Sequence, residues 1–286
     1  MELVGGVANL PELLRARARD TSVSIELTEK LISALPAPLA VWPAFLDRMS
    51  HLWRYDPGTP VTVLPNGQVA TGTHLWPEVN NLFAVLKCVV ERLHGEKLIT
   101  YLRRLSDAVK HHDTLYECCP VIRSSPEDHL EFEVTGFGEG NHTVDWLITT
   151  DRGTVAVEVK NRIADLIESL DRGGSEHVGW EGTVPAPTHD VLRMLRGIDR
   201  KYRAREASDV IQAVWIHTDI AQEEHELAVA VSSLDPSRIH AVILGDFDDG
   251  AFIVARTDEI KCRVASVLRL TESRRFVFSR NKANLT

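Results

Sequence analysis

Cysteine is scarce in this chain. Its 286 residues include four, Cys88, Cys118, Cys119 and Cys262. Two are adjacent and no two CxxC pairs occur, which argues against a zinc ribbon and against a disulfide framework. Free thiols in a reducing cytoplasm are the expectation. Long apolar runs are missing too, so no membrane-crossing helix is expected. The opening MELVGGVANLPELLRARARD lacks the basic start and apolar stretch of a secretory signal, and the expected location is cytoplasmic. Positive charge is not in excess either: the net charge is −9. That counts against a dedicated basic nucleic-acid-binding module, but not against an enzyme whose metals and local basic patches handle phosphate. No GxSxG elbow, HExxH pair or dinucleotide fingerprint occurs. GFGEGN (136–141) lacks the strand–GxxxxGK[ST]–helix setting of a phosphate-binding loop and reads as a hairpin loop.

What remains is an ordinary globular composition, 44% hydrophobic and 26% charged, long enough to bury a sizeable core. Residues 1–75 read as a mostly helical N-terminal region. Helical spacing near 10–19, 24–34 and 41–53 is followed by a hairpin in VTVLPNGQVATG (61–72) around Asn66-Gly67. Residues 76–286 read as an α/β domain with a central mixed β-sheet flanked by helices. Leu82, Val85, Leu86, Val89, Val90 and Leu93 recur at the spacing of a buried helical stripe, and Leu98, Leu102, Leu105 and Val109 continue it after a break at Gly95. Three strand-like runs follow, at 129–137, 142–150 and 154–161. Next come a helical run at 162–171, a Gly/Pro-rich loop at 173–188 and a helix over 189–204. The last part alternates strand, helix, strand, strand and helix, at 210–218, 221–234, 239–246, 251–256 and 257–270.

The chemistry concentrates in VDWLITTDRGTVAVEVK (144–160). Strand residues alternate faces, so Ala156, Glu158 and Lys160 share one face and Val155, Val157 and Val159 take the other. Glu158 and Lys160 therefore point the same way, roughly 6–7 Å apart along the strand. A connection of two residues (151–152) or four (150–153) sets Asp145 opposite Glu158, with Cβ atoms about 5 Å apart. A three-residue turn without a bulge would send them to different faces. Two carboxylates that close repel unless a cation neutralises them. With a backbone carbonyl such as that of Val159 they make an oxygen-rich site suited to Mg²⁺ or Mn²⁺. Such an ion polarises a phosphoryl oxygen and acidifies a bound water. Lys160 would orient that water or help deprotonate it, and would stabilise charge on the phosphate. The plain alternative is a solvated strand face with an Asp–Lys or Glu–Lys pair of little consequence.

Asp145, twelve residues, then Glu158-Val159-Lys160 resembles the motif of the PD-(D/E)XK nuclease superfamily. The surrounding order of helix, three-stranded meander, helix and strand resembles that family's restriction-endonuclease-like core over roughly residues 96–218. The resemblance implies metal-dependent phosphodiester hydrolysis, usually of DNA. Val144 stands where the motif's Pro would be. The acid that the family often carries on its first core helix is not assignable from the sequence; Glu91, Glu96, Asp107 and Glu133 are the candidates, with Glu96 and Glu133 favoured. In the helix over 189–204, Arg193, Arg196, Arg200 and Arg203 form a basic stripe that fits backbone phosphates, or equally a solvated face. The N-terminal region is available for a protein partner or a second copy of the chain, with no motif that chooses. A second reading is a catalytically inactive protein of the same fold, serving as a nucleic-acid-binding or assembly subunit. A third is an unrelated α/β domain.

Overall fold

A computed structural model describes residues 84–105 apart from 86, then 110–161, 188–218 and 221–278, together with the short strands at 54–56, 61–63 and 69–71, Arg15 and Glu29. The chain divides into two compact units, Met1–Leu115 and Tyr116–Thr286. In the first unit, β1 (Arg54–Asp56), β2 (Val61–Val63) and β3 (Val69–Thr71) form an antiparallel three-stranded sheet. Val63 of β2 pairs with Val69 of β3, and the turn expected at Asn66-Gly67 lies outside the described residues. The helical segments expected over 10–53 lie outside the described residues, except that Arg15 and Glu29 are both helical and form an ion pair. Residues 87–92 are helical, and α1 (Gly95–Leu105) follows a break at 93–94. Gly95 opens α1 with φ +54°, a conformation that suits a residue without a Cβ. Val85, Val89, Leu93, Leu102 and Leu105 are buried, as the stripe requires.

The second unit is α/β, built on a mixed seven-stranded sheet. Its first three strands, after α2 (His111–Glu117), are β4 (His129–Val134), β5 (Val144–Thr150) and β6 (Gly153–Asn161). They form an antiparallel meander. Then come α3 (Thr188–Asp199), β7 (Ile211–His217), β8 (Gln222–Glu223), α4 (Glu224–Ser232), β9 (Ala241–Gly245), β10 (Gly250–Ala255), α5 (Asp258–Leu268), β11 (Thr271–Glu272) and β12 (Val277–Phe278). The sheet order is β11-β10-β9-β7-β6-β5-β4, with β6, β7 and β9 mutually parallel. All seven positions of β7 are buried, as a central strand covered on both faces should be.

The two faces follow from alternation. Ala156, Val214, Ile216, Val242, Leu244 and Phe252 pack under Val191, Leu195 and Ile198 of α3 and Leu227 and Val231 of α4. Each such aliphatic side chain contributes about 1.5–3 kcal/mol on burial. Val155, Val157, Trp146 and Ile148 turn to the other face, and α5 lies across β5, β6, β9 and β10. Thr257 caps α5, its hydroxyl accepting from the backbone N–H of Ile260. The helical run at 162–171 and most of the loop at 173–188 fall outside the described residues. No described helix is long and apolar enough to cross a membrane.

The helix expected over 189–204 ends at Asp199. The backbone of 201–203 has other partners: Tyr202 bridges Gly138, the Arg203 N–H donates to the Phe137 carbonyl at 2.8 Å, and the Glu139 N–H donates to the Lys201 carbonyl at 2.6 Å. Pairing with the β4–β5 connection takes the chain out of the helix.

Candidate functional site

The turn between β5 and β6 decides the site. Thr150 pairs with Gly153, leaving Asp151-Arg152 as a two-residue connection, and the register runs on through Thr149–Thr154, Ile148–Val155, Leu147–Ala156 and Trp146–Val157. Gly153 has φ +131°, which L side chains rarely adopt. The ladder ends at Trp146–Val157, one step short of Asp145 and Glu158. Leu147 packs on the α3–α4 face of the sheet, the face of Ala156 and, by alternation, of Glu158 and Lys160, and the charges of Asp145 and Glu158 both act on Lys160.

The strands part at this point. The Asp145 carboxylate accepts the backbone N–H of Val159 at 2.7 Å, taking the place of a strand-to-strand bond. On the other flank, Phe132 pairs with Trp146 and Val134 with Val144. Between them Glu133 has φ +49°, a strained conformation for a non-glycine residue. β5 is therefore held normally from Trp146 onward and is irregular at Asp145.

Lys160 Nζ donates to Glu158 Oε1 at 2.6 Å and to the Val159 carbonyl at 3.1 Å. The side chains are mostly sheltered, Glu158 at 13% and Lys160 at 32% exposure. Burial pulls the Lys160 pKa down, but the negative charges of Glu158, Asp145 and Glu117 outweigh it and hold the ammonium above its ordinary range. Lys160 is thus a fixed positive charge at neutral pH, suited to orienting a water or a phosphate oxygen and ill suited to taking a proton.

The donors available to a cation are two carboxylates and a carbonyl, all hard oxygens, a set that suits Mg²⁺ or Mn²⁺ better than zinc. Two of them, Glu158 Oε1 and the Val159 carbonyl, already converge on one cationic centre, the Lys160 ammonium. Among the described residues no three His, Cys, Asp or Glu side chains gather in one potential metal site, so a third carboxylate does not complete the set.

Sequence reasoning missed two residues. Glu117 ends α2 and is 7% exposed. Its carbonyl accepts the Trp146 indole N–H at 2.6 Å, which ties that helix end to β5, and its charge acts on Lys160. The signal was an acid inside the apolar run Leu115-Tyr116-Glu117-Cys118-Cys119, all buried. Tyr202 is 2% exposed, and its hydroxyl donates to the Ala213 carbonyl at 3.1 Å, next to the site strand.

The four arginines are all exposed. Arg193 and Arg196 lie on the outer side of α3. Arg200 is the first residue past its end, with its N–H still reaching the Arg196 carbonyl at 3.3 Å, and Arg203 lies in the segment paired with Phe137. One helical stripe thus covers Arg193 and Arg196 and does not extend to Arg203.

No protein-family model matches this chain, and no curated protein or solved structure matches it.

Proposed function

We propose that the protein is a metal-dependent phosphodiester hydrolase acting on nucleic acid, DNA first, of the PD-(D/E)XK type with a restriction-endonuclease-like core. The observation that supports this reading is the Lys160 ammonium held on Glu158 and on the Val159 carbonyl, with the Asp145 carboxylate on the N–H of the same Val159. Asp145, Glu158 and the Val159 carbonyl would hold Mg²⁺ or Mn²⁺. A divalent ion there supplies polarisation of the scissile phosphoryl oxygen and an acidified water. Lys160, as an ammonium, orients the attacking water and steadies charge on the phosphate. Glu117, rather than Glu96 or Glu133, is the acid proposed for the upstream position, buried at the end of α2 and tied by its carbonyl to Trp146, the residue after Asp145, as a nearby charge and not as a metal ligand. Arg193, Arg196, Arg200 and Arg203 offer exposed cations for backbone phosphates.

The net charge of −9 favours a second reading, a non-catalytic nucleic-acid-binding or assembly subunit of the same fold. One experiment separates them: cleavage of linear, circular and branched DNA in Mg²⁺ or Mn²⁺ by the wild type and by Glu158→Ala. The hydrolase reading expects cleavage by the wild type alone, abolished by chelation. No cleavage of any substrate by the wild type would leave the binding subunit.

A further inference from the structure

We infer that Tyr202 is a positioning residue for the Asp145–Glu158 pair, its hydroxyl holding β7 beside Glu158 while its own backbone fixes the approach to Asp145. The inference rests on the reading of that pair as a metal site.

Packing alone does not explain a tyrosine here. The ring sits among Val191, Leu195, Ile198, Phe137 and Val214, where phenylalanine would fill the same space without a polar atom to satisfy. The hydroxyl nevertheless has a partner. It donates to the Ala213 carbonyl of β7 at 3.1 Å, one residue before Val214, which pairs with Glu158 across the parallel β6–β7 ladder. A buried hydroxyl whose proton is engaged is held in orientation. It fixes β7 where that strand meets Glu158.

The backbone of the same segment acts on the other half of the pair. Tyr202 bridges Gly138, and its neighbours Lys201 and Arg203 hydrogen-bond Glu139 and Phe137. Those residues belong to the connection that enters β5 just before Asp145. Gly138 is tightly fitted there, since a Cβ at that position would lie 2.4 Å from the Cβ of His142. One residue therefore acts on both site strands, on β5 through the β4–β5 connection by its main chain and on β6 through its neighbour β7 by its side chain. Groups that orient metal-holding residues typically change metal affinity by about 10–100-fold when removed.

The test is Mn²⁺ binding by calorimetry to the full chain, comparing wild type, Tyr202→Phe, Ile198→Val and Glu158→Gln. Tyr202→Phe is expected to keep its circular dichroism spectrum and bind Mn²⁺ about tenfold more weakly. Ile198→Val trims the same core without touching the hydroxyl; it is expected to lower the thermal midpoint and leave Mn²⁺ affinity within about twofold. Wild-type affinity in Tyr202→Phe, or an equal loss in Ile198→Val, overturns the positioning role and leaves the metal site standing. Indistinguishable binding by wild type and Glu158→Gln overturns the metal site itself, and the positioning role with it. If Tyr202→Phe does not fold, 3-fluorotyrosine at 202 in the otherwise native chain gives the answer. Its fluorine resonance is expected to shift on adding Mg²⁺, and a stationary resonance overturns the inference.

Discussion

Replacing His217 should flatten much of the acid sensitivity of this fold. His217 closes β7, is 3% exposed and stacks on Tyr116 with ring centroids 3.8 Å apart. Burial lowers its pKa from 6.5 to about 4, only partly opposed by the hydrogen bond between Nδ1 and the Gly245 carbonyl. The folded state favours the neutral ring, so the unfolded chain binds the extra proton first. Its stabilising contribution is full above pH 6.5 and is lost as the pH falls toward 4. Each pH unit in that window costs about 1.4 kcal/mol, so moving from pH 7.5 to pH 4.5 should cost about 2 to 3 kcal/mol through this residue. His217→Phe keeps an aromatic ring against Tyr116 and removes the titration. Urea unfolding of both proteins at the two pH values isolates the effect, because His240, also buried and held below its usual pKa, is common to both. The wild type should lose about 2 to 3 kcal/mol more than the variant. Equal losses would refute the account of His217 as a buried neutral ring.

Lys160→Ala should abolish cleavage while leaving the circular dichroism spectrum unchanged, and retained cleavage would remove Lys160 from the mechanism. Gly245→Ala would place a methyl 2.6 Å from the Trp215 ring, and overpacking of this kind costs about 1–3 kcal/mol, read as a lower thermal midpoint. A variant as stable as the wild type would mean that the ring has room to move. Changing Arg193, Arg196, Arg200 and Arg203 together to Gln should weaken binding to duplex DNA and flatten the salt dependence, by about 0.9 in log–log slope for each phosphate no longer neutralised. An unchanged slope would take these arginines off the interface.

The strands were largely legible because their signal is local. Alternation in 129–134 and the Val-rich run at 153–161 mark β4 and β6 directly, and Asp151-Arg152-Gly153 marks the turn that sets their neighbour's register. Glu158 and Lys160 could be placed on one face of β6 from sequence alone, while the position of Asp145 hung on the turn length, which the Thr150–Gly153 pair fixes at two residues. The end of α3 was not legible, because a long-range partner decides it. Nothing in Arg200-Lys201-Tyr202-Arg203 reveals that the chain will pair with Phe137 and Gly138, more than sixty residues away in sequence. The same blindness hid Tyr202, whose hydroxyl matters only once β6 and β7 lie side by side. Glu117 was missed because its neighbourhood reads as core; burial near Lys160, not spacing along α2, is what singles it out.

Anomalous diffraction from crystals soaked in Mn²⁺ would locate the divalent-metal site proposed at Asp145, Glu158 and the Val159 carbonyl. A peak is expected bonded to oxygens of both carboxylates and to the Val159 carbonyl, at distances of about 2.1 Å, with the Lys160 ammonium beside it. A clear Mn²⁺ peak elsewhere with none between Asp145 and Glu158 would contradict it.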